Sequence, residues 1–364
     1  MKIAVDGYEI GSHSTGVGRV INNLLVPLGD LLPEHHFTVY TAEPAGGCGG
    51  ANTDLVPLPS CGGYLRWLNG PFRRSLNKLA PDLLIAPNYI LPLFSRRPSV
   101  LFEHDLSVAA HPEWYPGRFA QTRRFSLSRS IKKADLIIVP SEFTKQEVLL
   151  YGRPDPSKIR LLRYGVEDRF KKSPEESRER WKKEKGLDGR KAVGFLGSIF
   201  NRRHVPELVE AAELLRRDIP ELVLFIVGRN LTHPPLPLAE ILDKEWVRWE
   251  PQIPENELPL FYSSLEAFAY LSEYEGFGFP PLEALACGTV PVLLGGSSLG
   301  EIFRDFAVMV ENPVPAEIKT ALAAAMADQT LRETVLSRFS RRREDFSWPR
   351  AAREFSRIIE EFKP

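Results

Sequence analysis

The sequence has few cysteines and no cysteine spacing of a known kind. Its 364 residues contain three cysteines, Cys48, Cys61 and Cys287, and no C-x-x-C pair. An odd number of cysteines without such a pair does not favour a disulfide framework, and a reduced, cytoplasmic setting is the better expectation. The seven histidines are scattered apart from one adjacent pair, so no ligand set for a structural zinc ion is predicted either.

The chain also lacks net charge and long apolar runs. Lys+Arg and Asp+Glu both number 47, which leaves no overall positive charge to attract nucleic acid, and we expect no nucleic-acid partner. No apolar run approaches the roughly 18 residues that a membrane span needs. The first residues, M-K-I-A-V-D-G, are typical of a strand and lack the apolar segment of a signal peptide.

Short apolar runs alternate with helical patterns along the chain, and its length favours two domains. This alternation predicts parallel sheets covered by helices. The predicted strands are 2–6, 37–40, 83–86, 100–102 and 136–139 in the first half, and 192–198, 222–228, 267–271 and 290–294 in the second. We therefore predict two Rossmann-like, doubly wound domains at 1–168 and 169–345, followed by a terminal helix at 346–364 that packs back toward the first domain.

Two glycine-containing loops join a predicted strand to a predicted helix. The first loop ends T-G-V-G-R, and Gly16 and Gly18 in it could expose backbone N–H groups to an anion, although glycines also simply close turns. The second loop, G-S-I-F-N-R-R-H, adds Arg202 and Arg203. Adjacent guanidinium groups suit a diphosphate. The alternative is that both arginines are only solvated surface residues.

The segment E-G-F-G-F-P-P-L-E carries two carboxylates eight positions apart, Glu275 and Glu283. A glycine loop follows a predicted strand, and two prolines suit the first turn of a helix. The backbone of Phe277, Gly278 and Phe279 can then reach an anion or a hydroxyl group. A carboxylate accepts two hydrogen bonds, which matches a vicinal diol of a ribose or a sugar ring.

A histidine follows another predicted strand, in the segment F-E-H-D-L. At the carboxyl end of a strand, His104 could contact a substrate hydroxyl group. The alternative is a structural histidine paired with Asp105, which is the commoner situation.

In combination, these motifs resemble the retaining glycosyltransferases of family 4, whose fold is GT-B: two facing Rossmann-like domains with an interdomain cleft. The segment E-Y-E-G-F-G-F-P-P-L-E-A-L-A-C-G-T resembles the E-x7-E signature of the family, and G-S-I-F-N-R-R resembles its arginine-lysine diphosphate motif. H-D with H-P-E-W-Y-P, S-E-F-T-K, Y-G-V-E and S-W-P-R resemble further family segments, so that the likeness covers nearly the whole chain. Arg203 departs from the family pattern, which has lysine at this position.

The resemblance implies a reaction and a role for each site residue. A hexosyl group would pass from a nucleoside-diphosphate sugar, of the GDP-mannose or UDP-glucose type, to a hydroxyl group of a glycan or a lipid-linked oligosaccharide, with retention and without metal or cofactor. The implied catalytic residues are His104 and Glu275, and the remaining roles are diphosphate binding by Gly16, Gly18, Arg202 and Arg203, sugar binding by Phe277, Gly278 and Phe279, and ribose binding by Glu283. The absence of D-x-D agrees with metal-independent transfer. Two alternatives stay open: a catalytically silent nucleotide-sugar-binding subunit of a glycan assembly complex, and another GT-B enzyme such as an epimerase.

The segment 118–133 contains six cations and two phenylalanines but no acid. Such a helix suits peripheral contact with an anionic membrane, which would place the protein at the inner face of the membrane. An ordinary solvated helix face has equal weight.

Overall fold

The computed structural model of the chain describes residues 1–10, 16–43, 50–59 and 62–362. They form two compact units. The first unit comprises Met1–Glu113, Gly117–Gly165 and Asp345–Pro364, and the second comprises Trp114–Pro116 and Val166–Glu344. Of the three cysteines, Cys48 and Cys61 lie outside the described residues, and Cys287 is a buried free thiol.

The first unit contains a seven-stranded parallel sheet among its described residues. Its strands are β1 (Lys2–Asp6), β2 (His36–Thr41), β3 (Thr53–Pro57), β4 (Leu83–Ala86), β5 (Ser99–Phe102), β6 (Leu136–Val139) and β7 (Ile159–Leu161). Its helices are α1 (Gly16–Leu31), α2 (Tyr64–Trp67), α3 (Arg73–Leu79), α4 (Ser107–Ala110), α5 (Gly117–Lys133) and α6 (Glu142–Glu147), with the terminal helix Trp348–Glu360.

The strand order of this sheet is β3-β2-β1-β4-β5-β6-β7. Strand β1 pairs in parallel with β2 on one side and with β4 on the other. The order therefore reverses between β1 and β4, and in open α/β sheets ligands bind outside the carboxyl ends of the strands at such a point. The chain segments that follow β1, β4 and β5 lie at this edge.

The helical segment 64–79 buries one face but is interrupted in the middle. Leu68, Phe72 and Leu76 are buried, as their spacing of four residues requires. A π-turn at Leu68–Phe72 separates α2 from α3, and it contains Gly70 and Pro71. Proline lacks the N–H that an interior helical hydrogen bond needs, so the chain adopts a wider turn there.

The chain returns to the first unit at Asp345, and the terminal helix packs against α1. Ser347 caps this helix, since its side chain accepts a hydrogen bond from the N–H of Arg350. Trp348 stacks on Tyr164 with ring centroids 5.9 Å apart. A Cβ atom on Gly165 would lie only 2.3 Å from the backbone nitrogen of Trp348, which explains why the Y-G-V-E segment has glycine here.

The second unit contains a six-stranded parallel sheet among its described residues. Its strands are β8 (Lys191–Leu196), β9 (Leu222–Val227), β10 (Val247–Glu250), β11 (Ala267–Tyr270), β12 (Pro291–Leu294) and β13 (Val308–Val310), in the order β10-β9-β8-β11-β12-β13. Its helices are α7 (Glu175–Glu184), α8 (Val205–Arg216), α9 (Leu238–Leu242), α10 (Leu258–Ser263), α11 (Phe279–Ala286), α12 (Ser297–Phe303), α13 (Pro315–Ala327) and α14 (Gln329–Arg342), and the terminal helix is then α15. The order reverses between β8 and β11, so the two strands that precede the arginine loop and the E-x7-E segment are neighbours.

Candidate functional site

The arginine loop of the second unit begins at Gly197 and ends at His204. Gly197 has φ +140°, and a Cβ atom there would meet Nη1 of Arg203 at 2.6 Å. The absent side chain therefore gives the Arg203 guanidinium room to lie across the loop, where Nη1 donates to the carbonyl oxygen of Ser198 at 2.7 Å. A short 3-10 turn, Asn201–Arg203, holds the two arginines just before α8.

Arg203 forms a buried ion pair with Glu275, the first carboxylate of the E-x7-E segment. Nη2 and Nε of Arg203 lie 2.8 and 3.2 Å from Oε1 of Glu275, and the Tyr270 hydroxyl donates to the same oxygen at 2.9 Å. Burial raises the pKa of Glu275, but the charges of Arg203 and Arg202 outweigh that effect and hold the pKa below its usual value. Glu275 is therefore ionised at neutral pH, and much of the Arg203 charge is neutralised within the unit.

Arg202 has different surroundings. Its guanidinium lies 4.3 Å from the ring centroid of Phe200 and 5.3 Å from that of Trp114. Within the described part of the chain it makes no ion pair, and its buried Nε atom has no hydrogen-bond partner. Cation–π contacts orient the guanidinium without neutralising it. Although its charge also acts on Glu275, it is bound to no carboxylate among the described residues and can attract an anion.

Trp114 is a further residue of the candidate site, and in the sequence it is notable only as part of the H-P-E-W-Y-P motif. It belongs to a three-residue segment, Trp114–Pro116, that groups with the second unit, and its ring meets Tyr274 edge-on at 6.1 Å. The P-E-W-Y-P motif is the feature of the sequence that could have identified Trp114 as a residue of the site. Its partners could not be read from the chain, because they lie 88 and 160 positions away in sequence (202 − 114 and 274 − 114).

The loop between the two carboxylates is tightly packed. Gly278 has φ +106°, and a Cβ atom there would lie 2.7 Å from Leu299 and 3.0 Å from Phe303. Phe277 is buried and meets the half-buried ring of Phe279 at 5.3 Å. Phe279 begins α11, so the backbone of these three residues lies at a helix N-terminus, as predicted.

Serines of α12 fix the backbone of Glu275. The side chain and the N–H of Ser298 donate to the Glu275 carbonyl oxygen at 2.7 and 3.3 Å, and the Glu275 N–H donates to the hydroxyl of Ser297 at 3.3 Å. Backbone and carboxylate of Glu275 are thus both held, which gives a rigid carboxylate at the edge of the sheet.

Glu283 occupies a different position from Glu275. It is 3 % exposed on α11, and its Oε2 accepts a hydrogen bond from the Tyr262 hydroxyl at 2.8 Å. The two carboxylates of the E-x7-E segment therefore have different partners: Arg203 and Tyr270 for Glu275, and Tyr262 for Glu283. Ribose binding by Glu283 stays a prediction.

The remaining predicted residues lie in the first unit. Burial lowers the pKa of His104 to about 4, so the ring is neutral at physiological pH. Nε2 lies 2.7 Å from the carbonyl oxygen of Pro87 and therefore carries the proton, while Nδ1 accepts from the Tyr164 hydroxyl at 2.7 Å. Both nitrogens have partners inside the unit, and neither partner is Asp105, the residue that the structural alternative proposed. Contact of His104 with a sugar stays a prediction.

Gly16 and Gly18 lie in the first turn of α1, where Gly16 is exposed and Gly18 is buried. The part of the T-G-V-G-R loop that precedes Gly16 lies outside the described residues. Anion contact by these glycines also stays a prediction.

One group of possible metal ligands occurs among the described residues, Glu34, His35 and Glu360, and it is not in the arginine loop or the E-x7-E segment. The two carboxylates approach opposite nitrogens of the His35 ring, at 3.6 and 3.3 Å. A single ion cannot bind both nitrogens of one imidazole, so these two contacts are not those of one chelated ion.

His204 supplies a pH-dependent contact that holds the arginine loop. Its Nε2 lies 2.7 Å from Glu273 and its Nδ1 lies 3.2 Å from Glu207. Burial lowers the pKa of His204, but these two carboxylates outweigh it and raise the pKa above its usual value. The contacts of protonated His204 with Glu273 and Glu207 therefore stabilise the folded state fully below the unfolded-state pKa of about 6.5. This stabilisation is lost as pH rises through the folded-state pKa.

The replacement His204→Asn tests this contact. Asparagine tolerates the left-handed backbone at this position, where φ is +49°. We expect the wild type to be more stable than the variant at pH 6 and the difference to shrink toward pH 9, measured as free energy of unfolding in urea across that range. A difference that does not change with pH would contradict the ion-pair account.

Two protein-family models match the chain, one after the other. "Glycosyltransferase Family 4" matches residues 14–170, and "Glycosyl transferases group 1" matches residues 177–341. The chain is 27 % identical over 268 residues to O-antigen chain mannosyltransferase B of Escherichia coli, covering 72 % of this chain and 70 % of that protein. It is also 27 % identical over 282 residues to D-inositol 3-phosphate glycosyltransferase of Corynebacterium jeikeium, covering 73 % and 67 %.

Solved structures match nearly the whole chain. Sucrose-phosphate synthase of Thermosynechococcus elongatus matches with a TM-score of 0.78 at 18 % identity, covering 99 % of this chain and 98 % of that one. HepE of Anabaena in complex with UDP-glucose matches with a TM-score of 0.77 at 16 % identity, covering 99 % and 100 %. Together with the two parallel sheets, these likenesses confirm the predicted two-domain α/β fold of the GT-B class.

Proposed function

Because the chain is a glycosyltransferase of the family 4 type, as the two consecutive family models and the mannosyltransferase relatives show, we propose that it moves a hexosyl group from a nucleoside-diphosphate sugar to a hydroxyl group of a glycan or lipid-linked oligosaccharide. Mannose is the preferred sugar in this proposal, since a relative that matches over most of its length is named a mannosyltransferase. GDP-mannose is therefore the first donor to test and UDP-glucose the second, the latter because a structural neighbour holds it.

The single observation that supports transfer best is the pair of unlike arginines at the edge of the second sheet. Arg203 is fixed and neutralised by Glu275, whereas Arg202 carries its charge without an ionic partner in the described residues. In the proposed reaction Arg202 compensates the charge that develops on the departing diphosphate, and the N-terminus of α11 adds backbone donors. Glu275 and the backbone of residues 277–279 hold the sugar, Glu283 holds the ribose, and Gly16 and Gly18 bind the diphosphate.

In the proposed reaction the bond between the anomeric carbon and the diphosphate oxygen breaks, the acceptor oxygen bonds to that carbon from the same face, and the hydroxyl proton passes to the departing diphosphate. The anomeric configuration is therefore retained, and no covalent sugar–protein intermediate is needed. The charge on Arg202 is the reason to propose that no divalent cation is required at the leaving group. His104, with a neutral ring, would contact a hydroxyl of the donor sugar by exchanging one of its present partners, the Pro87 carbonyl oxygen or the Tyr164 hydroxyl.

Donor turnover tests this proposal. The purified protein is incubated with GDP-mannose or UDP-glucose in EDTA, with and without methyl α-mannoside, and the products are followed by NMR. We expect nucleotide release, an α-linked product and no loss of rate in EDTA. Tight binding without release of any nucleotide would favour the alternative of a silent binding subunit, and a β-linked product would contradict retention.

We also propose that the protein is cytoplasmic and contacts the inner face of the membrane peripherally, through one face of the first unit. No helix of the described residues is long and apolar enough to cross a membrane. On α5, Arg118, Phe125 and Lys132 are exposed and recur every seven residues, so they share one helix face. Phe125 is 70 % exposed and Phe119 52 %.

A neighbouring loop extends this face. Phe94 is 78 % exposed and is followed by the exposed cations Arg96 and Arg97. The N–H of Leu91 donates to the Ser130 hydroxyl at 2.9 Å, and Lys133 donates to the carbonyl oxygen of Ser95, so the loop is fixed on α5. Exposed aromatic rings next to exposed cations are the combination that binds an anionic lipid surface.

The double variant Phe119→Ser/Phe125→Ser tests this contact. We expect about tenfold weaker co-sedimentation with vesicles containing phosphatidylglycerol, since removing two exposed rings removes at least about 1.4 kcal/mol of interfacial binding. Leu231→Ser is the matched control, because Leu231 is 51 % exposed but lies in the second unit. Equal binding of the wild type, the double variant and the control would leave α5 as an ordinary solvated helix.

A further inference from the structure

Among the described residues, the Arg202 guanidinium is held by aromatic rings and by no carboxylate. Its Cζ atom lies over two rings, 4.3 Å from the centroid of Phe200 and 5.3 Å from that of Trp114. The backbone of Arg202 is fixed separately, because its carbonyl oxygen accepts from the N–H of Glu273 at 3.0 Å. The rings therefore act on the far end of a side chain whose base is already anchored.

Holding a guanidinium with rings differs from holding it with an ion pair. The ion pair of Arg203 with Glu275 occupies the donors Nε and Nη2 of Arg203. A ring attracts a guanidinium through its negative face and occupies none of the N–H donors, and the buried Nε of Arg202 has no hydrogen-bond partner among the described residues. An arginine held by rings therefore loses little further freedom when it binds an anion, and its donors stay available to that anion.

The two rings come from different parts of the chain. Phe200 belongs to the arginine loop, and its ring also lies 5.4 Å from the guanidinium of Arg203. It contacts both cations and cannot by itself account for the difference between them. Trp114 comes from the segment between α4 and α5, far from the arginine loop in sequence. It is the ring that the fold adds to Arg202.

Trp114 is itself held against the second unit. Its half-buried ring meets Tyr274 edge-on, with an interplanar angle of 78°. Tyr274 is buried and directly precedes Glu275. The short segment Trp114–Pro116 groups with the second unit, although the chain on both sides of it belongs to the first. One indole ring thus contacts both the arginine loop and the segment that leads into Glu275.

We propose that Trp114 is the positioning residue of Arg202, and that its ring holds the guanidinium in the orientation that a diphosphate requires. This inference rests on the proposed function, in which Arg202 binds the diphosphate of the donor. Coupling between two contacts is reciprocal, so a bound nucleoside diphosphate must in turn stabilise the segment Trp114–Pro116 on the second unit.

A double-mutant cycle on nucleotide affinity tests the positioning role. GDP and UDP are titrated calorimetrically in EDTA into the wild type, Trp114→Leu, Arg202→Ala and the double variant. We expect Trp114→Leu to weaken binding about tenfold, because the guanidinium loses a cation–π partner. In the Arg202→Ala background the same substitution should have no effect, since there is no guanidinium to position. An equal loss in both backgrounds would overturn the proposal, because a merely structural role of Trp114 does not depend on Arg202.

Two further variants separate the cation–π contact from packing. Trp114→Phe restores a ring and should recover most of the affinity that Trp114→Leu loses, although leucine also fills the space with apolar atoms. Trp246→Leu is the matched control, since the Trp246 ring lies 5.3 Å from the guanidinium of Arg216, which ends α8 in the same unit. It should bind nucleotide as the wild type does. A Trp114→Phe protein as weak as Trp114→Leu, or an equally weak Trp246→Leu, would contradict the proposal.

Hydrogen exchange of residues 112–117 tests the reciprocal effect on the full chain. Saturating nucleotide should slow the exchange of these amides in the wild type and leave it unchanged in Arg202→Ala. Exchange that does not respond to the nucleotide in the wild type would contradict the coupling.

The same titrations distinguish the failure of this inference from the failure of the proposed function. If the wild type binds neither GDP nor UDP, the donor proposal fails and the positioning role fails with it. If the wild type binds a nucleotide and Trp114→Leu binds it equally well, the positioning role fails alone and the donor proposal stands.

Discussion

Replacing Arg203 by alanine is expected to lower the free energy of unfolding by about 3–5 kcal/mol, because it leaves the buried carboxylate of Glu275 without its cation. The side chains of the pair are only 10 % and 16 % exposed, so water replaces the lost contact poorly. We also expect transfer to be abolished, since Glu275 is then no longer held in position. Urea unfolding and donor turnover measure the two effects.

The matched variant is Arg202→Ala. Arg202 has no ion pair among the described residues, so its removal should cost little stability while weakening diphosphate binding about 10- to 100-fold, the value of one or two charge-assisted hydrogen bonds. If both variants lost the same stability, the distinction between the two arginines would be wrong.

The stability lost in Arg203→Ala should also depend on pH. The Glu275 pKa lies below its usual value, so the ion pair of Arg203 and Glu275 stabilises the protein above the unfolded-state pKa of about 4.5. The difference in free energy of unfolding between the wild type and Arg203→Ala should therefore shrink as pH falls through the lower folded-state pKa.

Gly278→Ala is expected to have the second large effect. The residue needs φ +106°, which costs a residue with a side chain about 1–3 kcal/mol, and the new Cβ atom would press on Leu299 at 2.7 Å. The loop that carries the backbone of Phe277 and Phe279 would have to shift, so we expect donor turnover to fall at least a hundredfold, more than the loss of stability alone would produce. Initial rates with saturating donor, at a temperature where the variant is folded, measure this.

Gly296→Ala is the control for that experiment. Gly296 lies in the next loop of the same unit and has φ −76°. A Cβ atom added there would lie 3.6 Å from its nearest neighbour, the carbonyl oxygen of Glu273. It should retain the stability and rate of the wild type. A Gly278→Ala protein with normal turnover would show that the loop backbone does not hold the donor.

The sequence predicted the interior strands of both sheets but not the edge strands. All nine predicted strands are present, and each lies inside its sheet. The four that the apolar pattern missed, β3, β7, β10 and β13, are the four edge strands. An edge strand such as V-R-W-E at 247–250 is half solvated and carries charge, so it lacks the apolar run that identifies a central strand.

The candidate site was predictable in its residue types but not in its pairings. The adjacent arginines and the E-x7-E segment indicated an anion and a sugar, and the structure brings Arg203 and Glu275 together across 72 positions of sequence. No local pattern shows that only one of two adjacent arginines is neutralised, or that Trp114 packs against the other. The partners of His104 were likewise unpredictable, because a carbonyl oxygen and a distant tyrosine leave no signature in the sequence.

In the proposed reaction the second unit binds a nucleoside diphosphate through Arg202. The most direct test is the thermal unfolding midpoint of the wild type and of Arg202→Ala, each in EDTA with saturating GDP, UDP, dTDP or ADP. Ligand at a hundred times its Kd stabilises the folded state by about 2.7 kcal/mol, so one nucleotide, GDP in our proposal, should raise the wild-type midpoint clearly and the variant midpoint much less. No rise with any of the four nucleotides, or an equal rise in the variant, would contradict the account.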